Sequence, residues 1–451
     1  MTSPVVESLL TLEAVEKLSA LKQEPHWMLE KRREALKLYE ALPLPDWTRG
    51  IRGWWTSSLK ELKLESLQPF TPAGSSLPHL NLDGKVIIED EEEGETREIV
   101  EQTAGTLVQY NSEVVQVELS EEALAQGVIF CSLDEAVQKH PALVHEYFMT
   151  SNVKPDDNKF AALHAALWSG GAFLYVPKNV VIEAPFRVVF YADTANSAIF
   201  SHVLVVAEPH SQVKIIEEQL SASNLKEQAL DANIVETFVA TGAKVEFYNP
   251  QDWGESFFNY STKRALLKKD SINRWILAVM GSEETRLDVE SVTLGEGAHA
   301  EAVGAIFPNH EQHLDLKVVM RHSVPNTTGD ALFKAALLDK GQYGFQGKIR
   351  VDKLGRNTDS FLADHVLFLS EDSKADALPS LDVDANDVRC AHGQTIGMVD
   401  EQAIFYLQSR GLSREEAVGL IVQGFFEQVT NRIPLASVRQ RMKEIISRKI
   451  Y

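Results

Sequence analysis

Cysteine is almost missing from this chain: there are two in 451 residues, Cys131 and Cys390. So few exclude a disulfide framework and fit a reducing compartment. They also exclude a self-contained iron–sulfur centre of the usual kind, which takes four thiolates. Any cluster held here must borrow ligands from histidine, carboxylate or another chain. Basic residues are in deficit too, 44 against 65 acidic ones, giving a formal charge of −21. Phosphate-rich partners would be repelled, so neither nucleic acid nor an anionic membrane surface is expected. Long apolar runs are also lacking. The longest uncharged stretch, 160–177, is interrupted by Gly170-Gly171 and contains His164 and Ser169, which argues against a bilayer span. Met1-Thr2-Ser3-Pro4 does not begin a basic, then apolar, leader, and the expectation is a cytoplasmic protein.

Enzyme signatures are likewise absent. His310-Glu311-Gln312-His313 is one residue short of the zinc-protease spacing, which needs two His one helical turn apart. Gly295-Glu296-Gly297-Ala298 has no crossover unit around it, and Gly344 to Ile349 lacks the spacing and hydroxyl of a phosphate loop. No Gly-x-Ser-x-Gly elbow occurs. A β-helix carbohydrate-active enzyme would need carboxylates along a groove, for which Asp288, Glu290 and Glu301 are the strand-borne candidates. That class and a structural homo-oligomer are the alternatives to a non-catalytic scaffold.

What is present is a pattern that changes along the chain. In residues 1–84, Leu18, Leu21, Met28, Leu29, Leu36 and Leu38 recur among charges at helical spacing, punctuated by Pro25, Pro43 and Pro45. A Pro- and Gly-rich linker ends this region, and the run Glu89-Asp90-Glu91-Glu92-Glu93 after it reads as a solvated loop. Residues 85–171 mix short strands with two helices, the first opened by Ser132-x-x-Glu135 and the second stopped by Gly170-Gly171. From 172 to 399, β-branched and apolar runs follow one another with no helical pattern between them. Gly242, Gly281, Gly295, Gly297, Gly329, Gly341 and Gly347 sit where turns would need positive φ. So many strands in one block favour a parallel β-helix over a sandwich, with about ten rungs of roughly 20–25 residues. Residues 400–451 are helical again: Asp400 is a cap, Gly411 a stop, Ser413-x-x-Glu416 a capping box, and Pro434 precedes a basic last helix. The expected fold is mainly β, a β-helix flanked by N-terminal and C-terminal helical regions.

Asp387-Val388-Arg389-Cys390-Ala391-His392-Gly393 stands at the end of the β block. On a strand, residues two apart share a face, so Cys390 and His392 form half of a metal site, to be weighed against a buried thiol and a satisfied edge imidazole. The helix 414–430 carries Leu420, Ile421, Phe425 and Phe426, more apolar surface than a short terminal helix can bury alone, so a docking face is expected.

Cys390-x-His392-Gly393 followed by Phe405-Tyr406-Leu407-x-Ser409-Arg410-Gly411 resembles the C-terminal signature of the SufB/SufD family of iron–sulfur cluster assembly scaffolds. The segments Glu24 to Arg32, Gly170 to Lys178, Gln312 to Asp315, His322-x-x-Pro325-Asn326 and Gly341 to Val351 are similar to family segments too. The resemblance implies a right-handed parallel β-helix with helical flanks. SufB-type chains carry an additional sulfur-accepting cysteine in the β-body; none lies between Cys131 and Cys390, so the chain resembles the SufD type. It further implies a transient iron–sulfur cluster assembled only with a SufB-like paralogue, none being bound tightly by the chain alone. His392, with Cys390 less securely, would be the ligand. A SufC-like ABC-type ATPase would dock on the C-terminal helices, involving Phe405, Tyr406, Arg410, Leu420, Ile421, Phe425 and Phe426. A homodimer of the chain alone is the remaining partner expectation.

Overall fold

The computed structural model describes residues 11–43, 61–74, 80, 85–89, 96–222 and 225–450. Pro45 and most of the acidic run, Asp90 to Glu93, lie outside them. Two helices, Leu12–Leu21 and His26–Ala41, are separated at Pro25, the N-cap of the second. The β body is two facing sheets of parallel strands between which the chain alternates. One sheet takes Gly170–Val176, Ser201–Ala207 and every second strand thereafter to Lys374–Val383. The other takes Phe186–Ala192, Gln212–Ser221 and so on to Arg389–Met398. This makes eight turns of a parallel β-helix.

Partners on successive turns lie 26 to 32 residues apart, from Phe258↔Glu284 to Gln212↔Lys244. The expected rung was too short and the expected number too high. Apolar runs of four to eight residues understate these strands, which reach 10 or 11 residues because outward polar positions continue them at both ends. The corners also differ from expectation. A residue at positive φ stands two positions ahead of seven consecutive strands of one sheet: His210, Gly242, Asp270, Gly297, Asn326, Asn357 and Asp387. Asn and Asp tolerate the left-handed region, and only two of the seven are glycine. Gly281 serves another purpose: a Cβ there would lie 2.3 Å from the Trp253 backbone.

Alternate residues point inward and fill the β-helix with Val245, Phe247, Trp275, Leu316, Phe345 and their neighbours. The outer faces of the two sheets are covered separately. N-terminal helices, with Lys159–Leu167, pack over Phe173, Leu204, Ile234 and Phe258. The Glu24 to Arg32 segment is a clamp there: the fully buried Arg32 guanidinium bonds both Glu24 carboxylate oxygens and the carbonyls of Ala166 and Trp168. C-terminal helices Arg414–Thr430 and Ala436–Ile450 pack over Ile216, Tyr248, Ile276, Val303 and Phe307 of the other sheet.

The two ends are not alike. At the first, Glu113–Leu119 and Ile129–Ser132 pair antiparallel to Gly105–Tyr110 and Gly170–Val176 as the outermost strands of the two sheets, and Ala123, Val128 and Phe130 cover the interior. At the last, Lys374–Val383 and Arg389–Met398 have no further strand beside them among the described residues.

Candidate functional site

Strand Arg389–Met398 lies parallel to Asp359–Phe368 with Cys390 opposite Ser360, His392 opposite Leu362 and Gln394 opposite Asp364. Ser360, Leu362 and Asp364 are buried in the interior, and directly paired parallel residues point the same way. Cys390, His392 and Gln394 therefore line the interior face of the last turn. There the interior meets solvent. Leu381 and Val383 continue the columns of the fully buried Ile349 and Val351, yet are 41% and 38% exposed. Ile396 and Met398, in the columns of Val366 and Phe368, are 47% and 54% exposed. The end is a cross-section of a hydrophobic core with two free strand edges around it.

Cys390 is half-buried against the core, and His392 is exposed. Burial pushes the Cys390 thiol up, Asp359 adds to this, and the Ser360 backbone amide partly offsets both. The other cysteine has no such access. Cys131 is buried in the N-terminal cluster and its thiol is pushed up to about 12 by burial, an inert hydrophobe. No three His, Cys, Asp or Glu converge in a metal-holding group among the described residues. One soft sulfur and one imidazole on a common face fit two positions of a cluster's ligand set.

The docking residues divide. Phe405, Tyr406 and Leu420 are exposed at 73%, 57% and 51%, and Arg410 lies over the Tyr406 ring and donates to its hydroxyl at 2.9 Å. Ile421 and Phe425 are half-buried. Phe426 is not part of an exposed face: it is fully buried, 6.3 Å from the Phe307 ring of the β body. The apolar surplus of helix Arg414–Thr430 is spent largely on this chain's own sheet. Lys334 fixes the arrangement by donating to the Phe425 carbonyl at 2.8 Å. The basic last helix is likewise internal, with Arg441 and Arg448 on Asp252 and Lys449 on Asn309 and Gln312.

His365 hydrogen-bonds Thr395 at 2.7 Å, while His322 is buried and hydrogen-bonds Thr327 at 2.9 Å. The carboxylates considered for carbohydrate chemistry do not form a groove. Asp288 pairs with Arg286, Glu290 with Arg264, and Glu301 with Arg274 and Arg432 on the opposite sheet. Three interior residues near the pair went unnoticed in the sequence: Gln394, Ser360 and Asp364. The i, i+2 rule that joined Cys390 to His392 would have reached Gln394. Asp364 had only the faint signal of an acid at an inward position of an apolar strand.

The sequence matches known families over most of its length. Residues 190–425 match the family described as SUF system FeS cluster assembly, SufBD core domain, and residues 90–188 match the SufBD protein N-terminal region. The chain is 31% identical over 441 residues to the iron–sulfur cluster assembly protein SufD of Bacillus subtilis, covering 97% of both. It is also 31% identical over 431 residues to an iron–sulfur cluster assembly SufBD family protein of Staphylococcus epidermidis, covering 94% of this chain and 90% of the relative.

Proposed function

Because the chain belongs to the SufB/SufD family of iron–sulfur cluster assembly proteins, we propose that it is a SufD-type, non-catalytic scaffold subunit. It pairs with a SufB-like paralogue through the open end of the β-helix, and a cluster is built between them as cargo. The observation that carries this reading is the end itself: Cys390 and His392 on the inner face of an unpaired last turn, ringed by exposed core residues. Free strand edges are templates for another strand, and a partner seated there would supply the missing ligands while covering Leu381, Val383, Ile396 and Met398. Alone, the chain would offer the same end to a second copy. The SufC-like ATPase docks at the exposed part of the C-terminal module, Phe405, Tyr406, Arg410 and Leu420, with Ile421 and Phe425 at its margin.

The test is reconstitution of the complex with ferrous iron and a sulfur donor, read by absorbance and iron content. His392→Ala should leave the complex intact and abolish cluster formation. Cys390→Ala should be milder. Cluster yield at the wild-type level in the His392 variant would return that imidazole to a surface role.

A further inference from the structure

One layer below the open end, the interior holds a carboxyl group that the fold does not satisfy. Asp364 is fully buried, and its Oδ1 accepts from the Tyr343 hydroxyl at 3.0 Å. Its Oδ2 has no hydrogen-bond partner. A buried polar atom left bare forfeits its hydration with nothing in return, and such atoms in native proteins call for a reason. The register supplies one. Asp364 stands opposite Gln394 and diagonal to His392, on the same interior face, and diagonal neighbours lie within reach of a long or aromatic side chain. Tyr343, on the facing sheet, fixes one carboxyl oxygen and leaves the other free for the last turn.

We infer that Asp364 is a positioning residue for His392, its bare Oδ2 accepting the N–H of whichever ring nitrogen does not face the cluster once a partner covers the open end. Metal-bound imidazoles ordinarily donate their second N–H to a carboxylate or carbonyl, which fixes ring orientation and tautomer. The inference rests on the reading of His392 as a cluster ligand.

Asp364→Asn keeps the shape and the Tyr343 contact but puts an amide where the acceptor was. In the reconstituted complex, loaded with ferrous iron and sulfide, the cluster's half-life against an iron chelator should fall about 10–100-fold. The electron paramagnetic resonance signal of the reduced cluster, with 15N-labelled histidine, should show altered nitrogen coupling, while the melting temperature of the free chain stays near wild type. Tyr343→Phe, which frees the carboxyl to rotate, should fall between the two and serves if the Asn variant folds poorly. A wild-type half-life and nitrogen coupling in Asp364→Asn, beside a cluster-free His392→Ala, would overturn the positioning role and leave the ligand assignment standing. A normal cluster in His392→Ala would overturn both.

Discussion

Arg32 shows how much one side chain can hold. Its guanidinium is fully buried and joins Glu24 to two carbonyls beside the Trp168 ring. Arg32→Ala would strand a buried carboxylate, a change that costs about 3–5 kcal/mol, and thermal melts should register it as partial loss of the N-terminal helices. Beneath this clamp, His164, His202 and Glu236 form a fully buried row, with imidazoles 3.1 Å apart and the carboxylate accepting the Met149 and Val153 amides. Burial, then the Lys31 charge, holds His202 down at about 3, and burial, then His202, holds His164 well below its usual value. Unfolded, both would take up protons near pH ~6.5. Below that pH the unfolded chain binds protons that the folded chain refuses, so stability falls as pH drops toward the folded values. Glu236, pushed up to about 8 by burial, has the opposite sense: its contribution is complete below pH ~4.3 and is lost as pH rises from there to about 8. His202→Gln should be less stable than wild type at pH 7, with the gap narrowing toward pH 5 in paired melts.

The C-terminal helices are a cover for the β body first, and the docking role proposed for them falls to what that cover leaves exposed. Phe426→Ala opens a cavity against Phe307 and should cost about 3–5 kcal/mol, whereas Phe405→Ala and Tyr406→Ala should change stability by no more than about 0.5 kcal/mol. Binding to the proposed SufC-like ATPase, followed by calorimetry, should show the reverse order. Equal loss of affinity in all three at unchanged folding would refute the division. Removing 400–451 outright would strip Ile216, Tyr248, Ile276 and Phe307 of their cover, so truncation cannot separate docking from folding. At this scale the sequence was legible where signals are local: Ser413-x-x-Glu416 closes a full capping box, and Asp400 caps Glu401–Ser409. The β block was legible as strands but not as a rung length, since turn length depends on outward polar positions that carry no apolar signal. The left-handed corners at Asp270, Asn326, Asn357 and Asp387 carry no glycine signal, and an Asn or Asp there reads as any polar loop residue. Which apolar face of helix Arg414–Thr430 meets the chain's own sheet is a tertiary fact that amphipathic spacing cannot assign.

The molecule as a whole is polar in the sense of having two different ends. Leu381→Lys or Ile396→Lys would place charge on the exposed cross-section of the core without disturbing a sealed layer. Either variant should remain folded and lose pairing with a SufB-like partner, as light scattering on a column would reveal; unaffected pairing would move the interface elsewhere. That Cys390 and His392 share a strand face could be read from the sequence. That they sit on an uncapped turn, above Ser360 and Asp364, could not, because register joins residues 30 positions apart. The covering of the interior at the first turn by Ala123, Val128 and Phe130 carries a consequence for assembly. In the language of polymer chemistry the two termini differ in reactivity: one presents bare core between its strand edges, the other strand edges alone. Association driven by burial of that bare core then joins one terminus to one partner, so sedimentation of concentrated solutions should show pairs rather than longer chains.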